Sequence, residues 1–181
     1  DIIALQEIVD ISEFEAIINS LDNWTGYRYL TEDTGYGQLA YLINANNIEI
    51  LEPPSIIDYE DINATIIDEA MKITEDQYEH YFAYRFPYLL NINYNEQQYH
   101  IINIHYKCCG DGNIEDEYWD EEYRRLQASY YLKQYIDNSF SSNVIVLGDF
   151  NDELSDESPN NIFQNFLDDS NYQFADIDIA N

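Results

Sequence analysis

A chain of 181 residues is long enough for one domain with a buried core, and its 45% share of apolar residues excludes a disordered polymer. Against 36 acidic residues stand 7 basic ones, Arg28, Lys72, Arg85, Lys107, Arg124, Arg125 and Lys133, scattered rather than striped, so the formal charge of −29 excludes the basic footprint of an ordinary polyanion binder. No run approaches the roughly 20 apolar residues of a membrane span, and Asp1–Leu5, which lacks a basic flank, does not read as a signal peptide. The acidity speaks first to solubility or to salty surroundings. Bound divalent cations can invert the local sign, so a nucleic-acid substrate would be held by metal and a few local cations.

Buried apolar runs rich in Ile, Val and Tyr predict strands at Asp1–Gln6, Tyr27–Thr31, Leu39–Asn44 and Ile48–Leu51. Further strands are predicted at Tyr81–Phe86, Tyr88–Ile92, Tyr99–His105, Val144–Leu147 and Tyr172–Ala175. Ser12 is expected to cap a helix running to about Leu21, with Glu15 completing a capping box. Spacings of three and four predict a longer helix over Glu115–Ile136, with Trp119, Tyr123, Leu126 and Tyr130 on one face. A short helix after Pro159 would contain Ile162, Phe163 and Phe166. The stretch Glu52–Glu79 reads as a long surface excursion, not a domain linker, and no internal repeat is visible. Several strands are apolar at every position and therefore covered on both faces, which points to an α+β (α/β) layered sandwich with mixed sheets.

Three of these strands end in polar chemistry. The run Asp1-Ile-Ile-Ala-Leu-Gln-Glu7 ends in an acid, His100-Ile-Ile-Asn-Ile-His105 in an imidazole, and Val144-Ile-Val-Leu-Gly-Asp-Phe-Asn151 in an acid and an amide. Ligands of α/β sheets bind outside the carboxyl ends of strands, where such residues converge. Carboxylate oxygens suit hard cations, and an imidazole exchanges protons near neutrality. Each residue also has a plainer reading: Glu7 as a solvated strand end, Asp149 as a turn former or N-cap, His105 as a core histidine. His80 and His100 read as core histidines, and Asn103, on the same strand face as His105, as structural. Arg124 and Arg125 follow Asp120, Glu121 and Glu122, so ion pairing three and four residues apart is their simpler account. Lys107 is better placed for a substrate phosphate. The adjacent Cys108 and Cys109 make no zinc site alone, and are either thiols or a strained vicinal disulfide.

Asp-Ile-Ile-Ala-Leu-Gln-Glu, Ile-Asn-Ile-His and Val-Leu-Gly-Asp-Phe-Asn, in that order, resemble the successive signatures of the endonuclease/exonuclease/phosphatase superfamily, to which deoxyribonuclease I belongs. Arg85-Phe86-Pro87 resembles its Arg-x-Pro element, which lies in a strand before the His strand. The resemblance implies one α/β/β/α sandwich domain over residues 1–181 with two mixed sheets. It implies Glu7, Asp149 and Asn151 as metal ligands, for magnesium with manganese or calcium as alternatives. His105, Asp149 and Asn151 would be catalytic: His105 beside the scissile phosphate, Asp149 on the attacking water, Asn151 on phosphate or metal. Arg85 and Lys107 would bind substrate.

Against the family pattern, the first strand with its Asn ligand and the final Asp-His element are expected outside this sequence, so a truncated domain is expected. Phe86 stands where deoxyribonuclease I-type members carry a Glu that supports the first His, so another acid is expected to serve. The reading that follows is a monomeric, metal-dependent phosphodiester hydrolase acting on DNA or RNA. Its alternatives are an inactive metal-binding or interaction domain, and a phosphatase or sphingomyelinase-like enzyme for small phosphoesters. Acidity, Tyr and Asn content and the Cys pair suggest a secreted or surface protein of a bacterium.

Overall fold

The protein is described by a computed structural model covering residues 1–29 and 38–180. The chain divides into two compact units, Asp1–Asp58 with Tyr84–His105 and Phe140–Asp149, and Tyr59–Ala83 with Tyr106–Ser139 and Phe150–Asn181.

The first unit holds both sheets. Strands β1 (Ile2–Ile8), β2 (Trp24–Arg28) and β3 (Gln38–Asn44) form an antiparallel sheet with β3 in the centre. Strands β4 (Glu49–Ile50), β5 (Ser55–Ile56), β6 (Tyr88–Tyr94), β7 (Gln97–His105) and β8 (Val144–Asp149) form a second sheet, mixed because β7 and β8 run parallel. β3 is apolar from Leu39 to Ile43 because it is covered on both sides. Leu39, Tyr41 and Ile43 pack on Tyr88, Leu90, Ile92 and Ile101 of the second sheet, while Ala40 and Leu42 pack on Phe14 and Ile18 of helix α1 (Ile11–Ser20). The buried Tyr41 hydroxyl donates to the backbone oxygen of Tyr88 at 2.8 Å and so stays satisfied inside the core. The β6–β7 hairpin turns through Asn95 and Glu96, both at positive φ (50° and 64°), as a two-residue loop whose twist matches its strands requires.

The second unit is helical: α2 (Tyr59–Thr65), a 3-10 turn (Glu69–Met71), α3 (Glu75–Tyr81), α4 (Glu121–Ser139), α5 (Gln164–Leu167) and α6 (Ile177–Ala180). Ile62, Tyr78, Leu132, Ile136, Ile162 and Phe163 supply much of its core.

Several expectations need correction. The N-cap of α1 is Asp10, whose carboxylate accepts from the amides of Ser12 and Glu13, so Ser12 already lies inside the helix. The predicted strand Tyr27–Thr31 is shifted to Trp24–Arg28, and Leu30 and Thr31 lie outside the described residues. Tyr81–Phe86 is not a strand. A Thr74–Gln77 capping box starts α3 and carries it to Tyr81, after which Ala83 and Tyr84 turn at φ 52° and 59°. Tyr172–Ala175 is not a strand either, because its aromatics pack instead: Phe174 meets Phe163 and Phe166, and the Tyr172 hydroxyl donates to Asp137. Helix α4 starts six residues late because Asp120 caps it by accepting from Tyr123 N at 2.6 Å. Trp119 is consequently off the helix and 74% exposed, and the buried face runs instead through Arg125, Ala128, Ser129, Leu132 and Ile136. Glu52–Glu79 is no loose excursion: it supplies β5, α2, the 3-10 turn and most of α3, and buries Ile57, Ile62, Ile73 and Tyr78.

Candidate active site

In the parallel pairing of β7 with β8, His105 lies directly opposite Asp149, so two strand ends deliver an imidazole and a carboxylate side by side. Gly148 makes this approach possible. Its φ is 137°, and a Cβ there would stand 2.0 Å from the backbone oxygen of Ile104, so no other residue fits without moving β8. β1 reaches the same place by a different device. Its register against β3 shifts between Leu5 and Ile8, and Glu7 in that irregularity takes φ 58°. A non-glycine residue held in the left-handed region is strained, and such strain concentrates at functional sites. The end of β1 is fixed by Asn103, wholly buried, whose amide donates to Leu5 O (3.0 Å) and Ala40 O (3.2 Å) and accepts from Gln6 Nε2 (2.8 Å). Asn103 is therefore structural, as expected, and it supports Glu7 through the neighbouring Gln6.

These ends converge on His105 Nε2, which lies 3.6 Å from an Asp149 oxygen, 3.9 Å from a Glu7 oxygen and 2.9 Å from Arg85 Nη1. The imidazole is the floor, with a side chain 2% exposed, while the carboxylates form a rim at 72% (Glu7) and 49% (Asp149). Burial, followed by the Arg85 guanidinium, holds the His105 pKa below its ordinary value, against the opposing pull of Asp149 and Glu7. A neutral ring can accept the Arg85 proton at Nε2, leaving the lasting positive charge on Arg85. Arg85 itself sits in the connection between α3 and β6, not in a strand. Phe86, where a supporting Glu was missing, packs edge-on against Tyr29; the acids that face the imidazole are Asp149 and Glu7.

Glu7 and Asp149 each bring an exposed carboxylate within 4 Å of the same imidazole nitrogen, and hard oxygen donors suit magnesium, an ion commonly held by one or two carboxylates with water and substrate oxygens completing its shell. The residues fit such an ion.

Of the sequence candidates, Glu7, Arg85, His105 and Asp149 are brought together within the first unit. Asn151 and Lys107 belong to the second. Asn151, at φ 53°, donates its amide to Tyr106 O at 3.2 Å. Lys107 donates to Cys108 O at 2.9 Å and stands 3.7 Å from Glu121. His80 is buried as expected and stacks on Tyr118 at 3.8 Å, whereas His100 is only half-buried, stacking on Phe140 at 4.1 Å with Nδ1 on Asn91.

A second acidic group, Asp120, Glu121 and Glu122, clusters at the start of α4. Protein donors reach most of it: Tyr123 N on Asp120, Lys107 at 3.7 Å from Glu121, and Gly112 N (2.6 Å) and Arg125 (3.3 Å) on Oε1 of Glu122, whereas Oε2 of Glu122 is buried with no hydrogen-bond partner among the described residues. A cation there would also face the positive end of a helix dipole. The pairing expected for Arg125 is thus present together with a 2.6 Å bond to Asp152, and Arg124 bonds the backbone oxygen of His80.

No protein-family profile and no curated protein matches the sequence. Solved structures do. An endonuclease/exonuclease/phosphatase protein from Bacteroides vulgatus is 13% identical and aligns over 94% of this chain and 57% of its own, with a TM-score of 0.59. D. rerio TDP2 complexed with single strand DNA product is 13% identical over 86% of this chain and 50% of its own (TM-score 0.57). The human Nocturnin catalytic domain with bound sulfate anion is 18% identical over 92% and 55% (TM-score 0.50). The chain thus spans about half the length of these proteins, and at such identities the likeness establishes the fold.

Proposed function

We propose that this chain, whose fold is that of the endonuclease/exonuclease/phosphatase superfamily, carries the metal-dependent phosphoesterase site of a nuclease-like phosphodiester hydrolase. One domain over residues 1–181 is part of that reading. The observation that carries it is the register-opposed His105–Asp149 pair with Glu7 facing the same imidazole nitrogen.

Phosphoryl transfer asks for charge neutralisation and alignment more than covalent help. Arg85 supplies the fixed positive charge for a non-bridging phosphate oxygen, and the guanidinium–imidazole contact holds both groups in place for it. His105, neutral before substrate arrives, gains basicity as phosphate charge approaches and can then donate to the phosphate or the leaving oxygen. Asp149 orients the attacking water and accepts its proton. Glu7 and Asp149 would hold a divalent ion, magnesium or else manganese or calcium, which would supply Lewis-acid charge at the phosphate; Asn151 is proposed as a ligand and catalytic group from the Gly-Asp-Phe-Asn motif alone. The related D. rerio protein binds a DNA product and the human one a sulfate anion, which fits a phosphate-handling site.

The charge of −29 favours a short oligonucleotide or a small phosphoester over a long duplex, since each phosphate must approach an acidic surface. A monomer, secreted by or displayed on a bacterium, is the setting proposed for it. Asp149→Asn and His105→Ala should each lower magnesium-dependent hydrolysis of a phosphodiester by roughly a thousandfold. Rates equal to wild type in both variants would sink the reading. Parallel assays on DNA, sphingomyelin and inositol phosphates identify the substrate class.

A further inference from the structure

We infer that Cys108 and Cys109 form a reactive dithiol that small disulfides convert reversibly into a vicinal disulfide, a modification site independent of the proposed hydrolase chemistry. Both are thiols here, Cys109 exposed and Cys108 half-buried, with their sulfurs 3.0 Å apart. The two are not equivalent. The Cys109 thiol donates to the Cys108 sulfur, and Lys107 Nζ stands 3.7 Å from that same sulfur. Two donors on one sulfur favour its thiolate, so Cys108 is the nucleophile and Cys109 keeps its proton. The Cys109 pKa is raised, first by its hydrogen bond to Cys108, which agrees with this division of labour.

The loop is held for this purpose from the α4 side. Arg125 Nη1 donates to the carbonyls that flank the pair, Lys107 O at 2.9 Å and Cys109 O at 2.7 Å. Gly112 N donates to Glu122, and any Cβ at Gly110 (φ 109°) would collide with the Glu122 carboxylate at 2.1 Å. Cys109 itself takes φ 74°. The backbone is thus clamped around two sulfurs that need to approach by only about 1 Å to bond.

The exchange balances as follows. The Cys108 thiolate attacks one sulfur of a small disulfide, forming a mixed disulfide and expelling one thiolate, which takes up the Cys109 proton. The Cys109 sulfur then attacks the Cys108 sulfur, forming the Cys108–Cys109 bond and expelling the second thiolate, which takes from water the proton that Cys108 released on becoming a thiolate. The small disulfide is reduced to two thiols and the protein loses two hydrogens. Adjacent Cα atoms lie about 3.8 Å apart, closer than ordinary disulfides allow. The ring is therefore strained and should be reopened by small thiols.

The test treats the 181-residue chain with oxidised glutathione at neutral pH and follows it by intact mass and peptide mapping. Wild type should end with two hydrogens lost and no retained glutathione, and dithiothreitol should restore it. Cys109→Ser should stop as a glutathione adduct on Cys108. Lys107→Met should slow the first step about fivefold or more, a gap that closes in alkali where thiolate no longer needs the ammonium. In untreated wild type, limiting iodoacetamide should label Cys108 before Cys109, a readout that needs no variant. A stable glutathione adduct on wild type, or Cys109 labelled first, would overturn the proposal.

Discussion

Two clusters in this molecule are built from nearly the same residue types and behave as opposites. At the strand ends of the first unit, Glu7 and Asp149 surround a buried histidine beside Arg85. At the start of α4 in the second, Asp120, Glu121 and Glu122 lie beside Arg125. The α4 carboxylates meet backbone amides, a lysine and a guanidinium that the protein itself provides, with one buried oxygen of Glu122 left without a hydrogen bond among the described residues. The strand-end carboxylates stay on the rim, one of them on a strained backbone, while the group beneath them is nearly inaccessible. Carboxylates gathered around a buried guanidinium serve the architecture first; the exposed rim carboxylates, one of them on a strained backbone, are where the proposed metal would be held.

The contrast breaks most visibly at Arg125. Its guanidinium is 3% exposed and bonds Asp152 at 2.6 Å, Glu122 at 3.3 Å and two loop carbonyls. Arg125→Met leaves two buried carboxylates without their cation, so unfolding in urea should show a loss of about 3–5 kcal/mol. If the variant is as stable as wild type, Arg125 does not hold the α4 cluster together.

Gly148 probes the other side. An alanine Cβ there meets the backbone of Ile104, with oxygen at 2.0 Å and nitrogen at 2.8 Å, and no flexible side chain can yield. Gly148→Ala should cost roughly 2–3 kcal/mol and weaken magnesium binding measured by calorimetry, because Asp149 can no longer stand opposite His105. Magnesium binding equal to wild type in a folded Gly148→Ala variant would separate Asp149 from the metal site.

Much of the first unit was legible in the sequence because its signals are local. Buried runs of Ile, Leu and Tyr gave β1, β3, β6, β7 and β8 to within a few residues, and a polar residue closing three of them marked Glu7, His105 and Asp149. Arg85 was legible only as part of a three-residue resemblance; its contact with His105 depends on a turn through Ala83 and Tyr84 that no periodicity announces. The second unit was harder because aromatic density misleads. Tyr81-Phe82 and Tyr172–Ala175 look like strands, yet a capping box and ring packing claimed them. Trp119 fits the apolar spacing of a helix that Asp120 starts one residue later. Nothing in the sequence marks Asp152 as the partner of Arg125, because 27 residues separate them.

The smallest expected effect is a pH dependence shared by both units. His105 and His100 in the first and His80 in the second all have pKa values lowered chiefly by burial. In the unfolded chain each imidazole takes its proton near the ordinary value of about 6.5, whereas the folded ones wait for a lower pH. Between those limits the unfolded state binds more protons, so stability present above that value is lost as pH falls through the folded pKa values. Urea midpoints measured downwards from neutrality should therefore decline. His105→Gln, which keeps an acceptor for Arg85 but cannot titrate there, should decline less steeply. An equal slope would mean that His105 is not held neutral in the folded protein. Arg85 would then face a charged ring, and the assignment of the fixed positive charge to Arg85 alone would have to be abandoned.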